Sequence, residues 1–158
     1  MEDEPAEDSF IFGPTGAGKT CISQHTLDQL EQEAFDFRHA YINCWENYNR
    51  FRVLYKALEG IGETLDIHRQ STPKDELLSR LRGADGRPYI LILDEVDQLE
   101  DKRVLYDLHQ MPHITMIMIA NRESDVFAHM DDRVHSRLAG TPRMKFGKYS
   151  LNALVDIL

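Results

Sequence analysis

Short unbroken apolar runs alternate along the chain with segments whose apolar residues recur every three or four positions, a pattern that predicts strand then helix, repeated. Phe10-Ile11-Phe12 suits a buried strand. Cys21 to Gln32 carries Ile22, Leu27 and Leu30 among polar residues, an amphipathic helix that packs on a sheet. Phe37 to Cys44 alternates as a second strand, with Trp45 just beyond it as a packing residue. Phe51, Leu54, Tyr55, Leu58 and Ile61 recur at helical spacing up to Gly62. Ser71-Thr72-Pro73 starts another helix, on which Leu77, Leu78 and Leu81 share a face until Gly83, and residues 84–88 form a turn. Tyr89 to Leu93 is continuously apolar, as a central parallel strand covered on both faces must be, and ends at Asp94-Glu95. Val104, Leu105 and Leu108 mark a further helix, and Ile114 to Ala120 a buried strand ending at Asn121. Met144-Lys145-Phe146 reads as a short last strand, and Ser150 as the cap of a helix running to Leu158.

Alternating strands and helices predict an α/β fold, a doubly wound parallel sheet with right-handed crossovers. The 158 residues suffice for one domain with its own core. Residues 1–8 are acidic and read as a disordered tail, leaving 9–158 as the folded unit. No basic-then-apolar leader and no membrane-length apolar run is present, so a cytoplasmic protein without a membrane partner is expected. Cys21 and Cys44 form no metal-type spacing and read as small buried apolar residues of a reducing compartment. The formal charge of −9 opposes DNA binding unless positive charge is locally concentrated. Arg is twice as frequent as Lys, and with the acidic excess this resembles adaptation to high salt; an ordinary acidic surface is the alternative.

The chemistry centres on Gly13-Pro14-Thr15-Gly16-Ala17-Gly18-Lys19-Thr20, which fits the phosphate-binding loop G-x-x-x-x-G-K-[ST] at every fixed position. Between a strand and a helix, small residues let backbone N–H groups turn around an anion, and the helix N-terminus adds partial positive charge. Lys19 then reaches the β- and γ-phosphates, and the Thr20 hydroxyl ligates Mg²⁺. Asp94, at the carboxyl end of its strand, is placed to hold Mg²⁺, and Glu95 to orient or deprotonate an attacking water. Asn121 can hydrogen-bond the γ-phosphate or that water, although a strand-end Asn is equally a turn residue.

Gly13 to Thr20, Leu91 to Leu99, Ile119-Ala120-Asn121 and Asp132-Arg133-Val134-His135-Ser136-Arg137-Leu138 resemble the ordered motifs of AAA+ ATPases, and more narrowly the Orc1/Cdc6 replication initiators of salt-loving archaea. Tyr41-Ile42-Asn43-Cys44 and Phe51-Arg52-Val53-Leu54 match the second strand and following helix of that family. The resemblance implies a three-layer P-loop NTPase (AAA+) core with a central parallel sheet, the helical lid and winged-helix domain being absent. It implies ATP or ADP with Mg²⁺ as ligands, Asp94 and Glu95 as the Walker B pair, and Asn121 as sensor 1. Arg137 becomes the arginine finger offered in trans to another initiator subunit, with Arg133 the second choice. It also implies that Arg50 and Arg52, near Trp45 and Tyr48, could touch DNA, and that origin DNA is a partner in a full-length or assembled context. The expected function is an ATP-binding, ATP-hydrolysing core that switches assembly at origins. A truncated regulator that binds nucleotide or a partner without turnover, or another P-loop ATPase such as a transposition helper, stands as the alternative.

Overall fold

The computed structural model describes residues 8–13, 19–32, 37–64, 67, 71–84, 86–128 and 130–145. Five strands form one parallel sheet: β1 (Ser9–Phe12), β2 (Arg38–Asn43), β3 (Tyr89–Asp94), β4 (Ile114–Ala120) and β5 (Arg143–Lys145). Their spatial order is β2-β3-β4-β1-β5. Among the described residues six α-helices connect them: α1 (Lys19–Gln32), α2 (Arg50–Glu59), α3 (Lys74–Arg82), α4 (Arg103–His109), α5 (Glu123–Phe127) and α6 (Asp132–Leu138). The chain leaves β1 through α1 for the far edge at β2, then returns strand by strand and passes over β1 to β5. Right-handed crossovers demand that a reversal of direction move the connecting helix to the opposite face.

The two cores follow that rule. Leu27 of α1 packs with Ile11, Ile92 and Ile119 on one face. On the other face Phe10, Phe12, Leu91, Leu93, Met116 and Met118 meet the buried residues of α2 through α6, among them Leu54, Leu81, Leu105, Val126 and Leu138. Alternate residues of a strand point to opposite faces, so the continuous apolar runs of β3 and β4 are what a doubly covered strand requires.

Polar contacts fix the helices on the second face. The Asn49 side chain caps α2 by accepting from the Arg52 N–H at 2.8 Å. Arg50 Nε donates to Asp107 Oδ2 at 2.7 Å, tying α2 to α4, and its side chain is only 20% exposed. Arg50, read from sequence as a possible DNA contact, therefore has a structural partner. Asp8, read as the end of a disordered tail, is buried; its Oδ1 accepts from the Met116 N–H at 2.7 Å and its Oδ2 lies 2.6 Å from His109 Nδ1.

Strand β4 has the limits expected from sequence, and the other predicted elements are displaced by one to three residues at their ends. Helix α1 starts at Lys19 rather than Cys21, taking the last two residues of the loop motif into its first turn. Helices α5 and α6 were not foreseen: α5 has five residues, and α6, as long as α4, carries only Val134 and Leu138 as apolar residues, too few to mark a period. Two packing expectations fail. Cys21 is exposed, because it lies roughly 120° round α1 from buried Leu27. Trp45 is 64% exposed, because the turn after β2 carries it past the last strand of the sheet. The Ser150 cap and the helix expected to follow lie outside the described residues, as does the tail 1–7.

Tyr89 is fully buried, and its hydroxyl donates to the Ala57 carbonyl at 2.5 Å in the last turn of α2, where carbonyls lack helical partners. Gly60 sits against this bond: a Cβ there would fall on the Tyr89 Oη and 2.9 Å from the Ala40 Cβ. Since Tyr89 has no room to yield, Gly60→Ala is expected to lower stability by about 1–3 kcal/mol in urea denaturation, and an unchanged midpoint would contradict this packing.

Candidate nucleotide site

Register brings the candidate residues to one edge. Phe12 of β1 is level with Ala120 of β4, and Leu93 of β3 with Met118. Gly13, Asn121 and the Asp94-Glu95 pair therefore emerge together at the carboxyl end of the sheet, and Gly13 N–H donates to the Ala120 carbonyl at 3.3 Å. The connections leaving β1 and β4 go to opposite faces, so the crevice between these strands is a topological switch point, where open α/β sheets bind ligands. A cavity of about 840 Å³ opens there, lined by Gly13, Asn121, Arg122, Phe127, His135 and Arg143 among others.

The two carboxylates are held by donors from the neighbouring strand. Asn43 of β2 is level with Asp94. Its Nδ2 donates to Glu95 Oε2 at 3.0 Å, while its Oδ1 accepts from the Trp45 and Glu46 N–H groups at 2.9 and 3.2 Å. Those two bonds fix which end of the amide faces Glu95. Tyr41, two residues earlier on the same strand face, donates its hydroxyl to Asp94 Oδ2 at 2.5 Å; Asp94 Oδ1 accepts from the Glu95 N–H at 2.9 Å. Burial first, then the hydrogen bond to Asp94, pushes the Tyr41 hydroxyl up to about 12, so it is a donor at neutral pH. Beneath the pair, the Cys44 N–H donates to the Asp94 carbonyl at 2.8 Å. Burial, with the nearby carboxylates of Asp94, Asp97 and Glu95 adding to it, drives the Cys44 thiol well above its ordinary range and keeps it neutral.

Glu95 has φ 56° and ψ 45°, and no other non-glycine among the described residues has positive φ. The left-handed region costs an L-residue roughly 1–2 kcal/mol, and such strain concentrates at functional sites. Here it ends β3 abruptly, and the single 3-10 turn Val96–Gln98 follows at once.

Of the other predicted site residues, Lys19 and Thr20 form the N-terminus of α1. Pro14, Thr15, Gly16, Ala17 and Gly18 lie outside the described residues. Asn121 is exposed at the end of β4. Arg137 is exposed in the last turn of α6, and Arg133 in its first turn, one residue past Asp132. Neither is brought to the Asp94-Glu95 pair by any hydrogen bond or ion pair of this chain among the described residues. Sequence reasoning assigned no role to Tyr41 or Asn43. The available signal was the period of two along β2, which separates Ala40 and Ile42 on one face from Tyr41 and Asn43 on the other.

A three-layer parallel sheet with a phosphate-loop sequence at the switch point and an acidic pair at the end of β3 defines a P-loop nucleoside-triphosphatase fold. Residues 7–142 match the AAA domain family, and the chain belongs to it. It is 54% identical over 155 residues to ORC1-type DNA replication protein 1 of Halobacterium salinarum, covering 98% of this chain and 50% of that protein. ORC1-type DNA replication protein 9 of the same organism is 52% identical over 155 residues, with 98% of this chain and 44% of that protein covered. Among solved structures, the Aeropyrum pernix ORC1 protein in complex with DNA superposes with a TM-score of 0.74 at 25% identity, over 98% of this chain and 43% of that one. The resemblance to archaeal Orc1/Cdc6 proteins is thus borne out. The chain spans about half the length of the curated relatives it matches. No helix among the described residues is long and apolar enough to cross a membrane.

The strain at Glu95 gives a direct test. Glycine adopts the left-handed region without a Cβ penalty, so Glu95→Gly should be more stable than Glu95→Ala, which equally lacks the bond to Asn43, by about 1 kcal/mol in urea denaturation. An Ala variant as stable as the Gly variant would show that the backbone there is not strained.

Proposed function

We propose that this chain is the ATP-binding and ATP-hydrolysing core of an Orc1/Cdc6-type replication initiator, in which the bound nucleotide sets the assembly state. The observation that carries the reading is the convergence on one sheet edge of three things. These are the strand that leads into the Gly13 to Thr20 loop, the helix that begins at Lys19, and the Asp94-Glu95 pair. An anion at a helix N-terminus is favoured by the first-turn N–H groups, which have no partner within the helix, and by the helix dipole.

The residues present fit Mg²⁺ and a triphosphate. Asp94 and the Thr20 hydroxyl are hard oxygen donors of the kind that would hold Mg²⁺. Bound there, the metal neutralises charge on the phosphates. Lys19 adds a compact positive charge to the β- and γ-phosphates. Glu95 orients the attacking water and accepts its proton, and the bond from Asn43 fixes the direction of its carboxylate. Asn121 donates to the γ-phosphate or to the water. Exposed Arg137 has the chemistry of a group offered to the ATP of a neighbouring subunit, where a guanidinium stabilises transition-state charge. Arg133 serves as the second candidate on the same helix.

The relatives named as DNA replication proteins, and the solved ORC1 protein in complex with DNA, support a place at replication origins. A formal charge of −9 gives this chain no general attraction for a phosphate backbone, so DNA contact belongs to the assembled initiator.

Glu95→Gln should bind ATP as the wild type does and release phosphate at least about a hundredfold more slowly; equal turnover would remove Glu95 from the chemistry. In mixed assemblies, Arg137→Ala should bind ATP normally yet fail to stimulate hydrolysis by a neighbour carrying an intact site. Full stimulation by that variant would transfer the role to Arg133 or dismiss it.

A further inference from the structure

The ring of Tyr41 has little packing reason to stand where it does. It is 40% exposed on β2, the edge strand, whose other face buries Ile42. What the ring achieves is reach. Tyr41 is level with Ile92, two residues short of Asp94 on the adjacent strand, a diagonal that only a long side chain spans. Its hydroxyl arrives 2.5 Å from Asp94 Oδ2, a charge-assisted length. With the Glu95 N–H on Oδ1 at 2.9 Å, two donors on the two oxygens fix the plane of the Asp94 carboxylate. A carboxylate has about four lone-pair directions, so a donor on each oxygen orients it while each oxygen keeps a second direction in which it can act as a ligand.

We propose that Tyr41 is a positioning residue for the metal site, holding the Asp94 carboxylate in the orientation that receives the divalent cation of a bound nucleotide. The assignment rests on the nucleotide-binding reading given above. It makes the edge strand a functional part of the site. Through their spacing of two, Tyr41 and Asn43 supply one donor to each member of the Asp94-Glu95 pair. Partners of this kind around a ligating carboxylate commonly carry a tenfold to hundredfold effect on metal affinity when removed.

The test separates metal from nucleotide. ADP is titrated by calorimetry into wild type, Tyr41→Phe and Asp94→Asn, once in EDTA and once with Mn²⁺ as the probe cation, after thermal denaturation has shown each variant folded. For Tyr41→Phe the affinity in EDTA should stay within about twofold of wild type, while the gain on adding Mn²⁺ should fall by about tenfold or more. Asp94→Asn should abolish the gain. An undiminished Mn²⁺ gain in Tyr41→Phe would overturn the assignment and leave the nucleotide reading intact. A parallel loss of affinity with and without Mn²⁺ would also overturn it, since a merely structural residue behaves that way. If wild type binds ADP in neither condition, the nucleotide reading fails and takes the Tyr41 role with it.

Discussion

Parallel pairing around β4 is the constraint on which the site depends. β4 is flanked by β3 and β1, and both registers bring their carboxyl ends level with its own. An antiparallel neighbour would send its final residues to the opposite edge. The strands before the phosphate loop, the acidic pair and Asn121 can therefore deliver their chemistry to one place only because helices carry the chain back between them. Burial of β3 and β4 on both faces makes that register costly to shift. A slip of one residue would turn Ile92 and Ile119 from the α1 side into the larger core.

The same edge concentrates negative charge, and neighbouring residues meet it with hydrogen-bond donors. Asn43 and Tyr41 each give a hydrogen bond to one carboxylate, and the Glu95 N–H gives a third. These contacts orient the two carboxylates from the neighbouring strand. The left-handed backbone at Glu95 belongs to this arrangement: it breaks β3 immediately after Asp94 and turns two adjacent carboxylates to different partners, Tyr41 and Asn43.

Most of the sheet was legible because buried parallel strands write themselves as apolar runs, as Tyr89 to Leu93 and Ile114 to Ala120 do. The larger helices were legible from their period. Helices α5 and α6 were not, since each carries only two apolar residues, Val126 and Phe127 in one and Val134 and Leu138 in the other, too few for a period to emerge. The loop motif and the acidic pair were visible as local patterns, but Tyr41 and Asn43 were silent. Their roles exist only through pairing with β3, about fifty residues away in the chain. Trp45 misled for a related reason: an apolar residue next to a strand reads as core unless the strand is known to be the edge. The ion pair of Arg50 was silent too, because its partner, Asp107, arrives from a helix beyond the next strand.

The central claim is that this sheet edge is a nucleoside-triphosphate site. Calorimetric titration of ATP with Mg²⁺ into the wild type and into Lys19→Ala tests it most directly. Saturable one-to-one binding by wild type that is lost in a folded Lys19→Ala variant is the predicted result. Equal binding by both, or none by a folded wild type, would contradict the account.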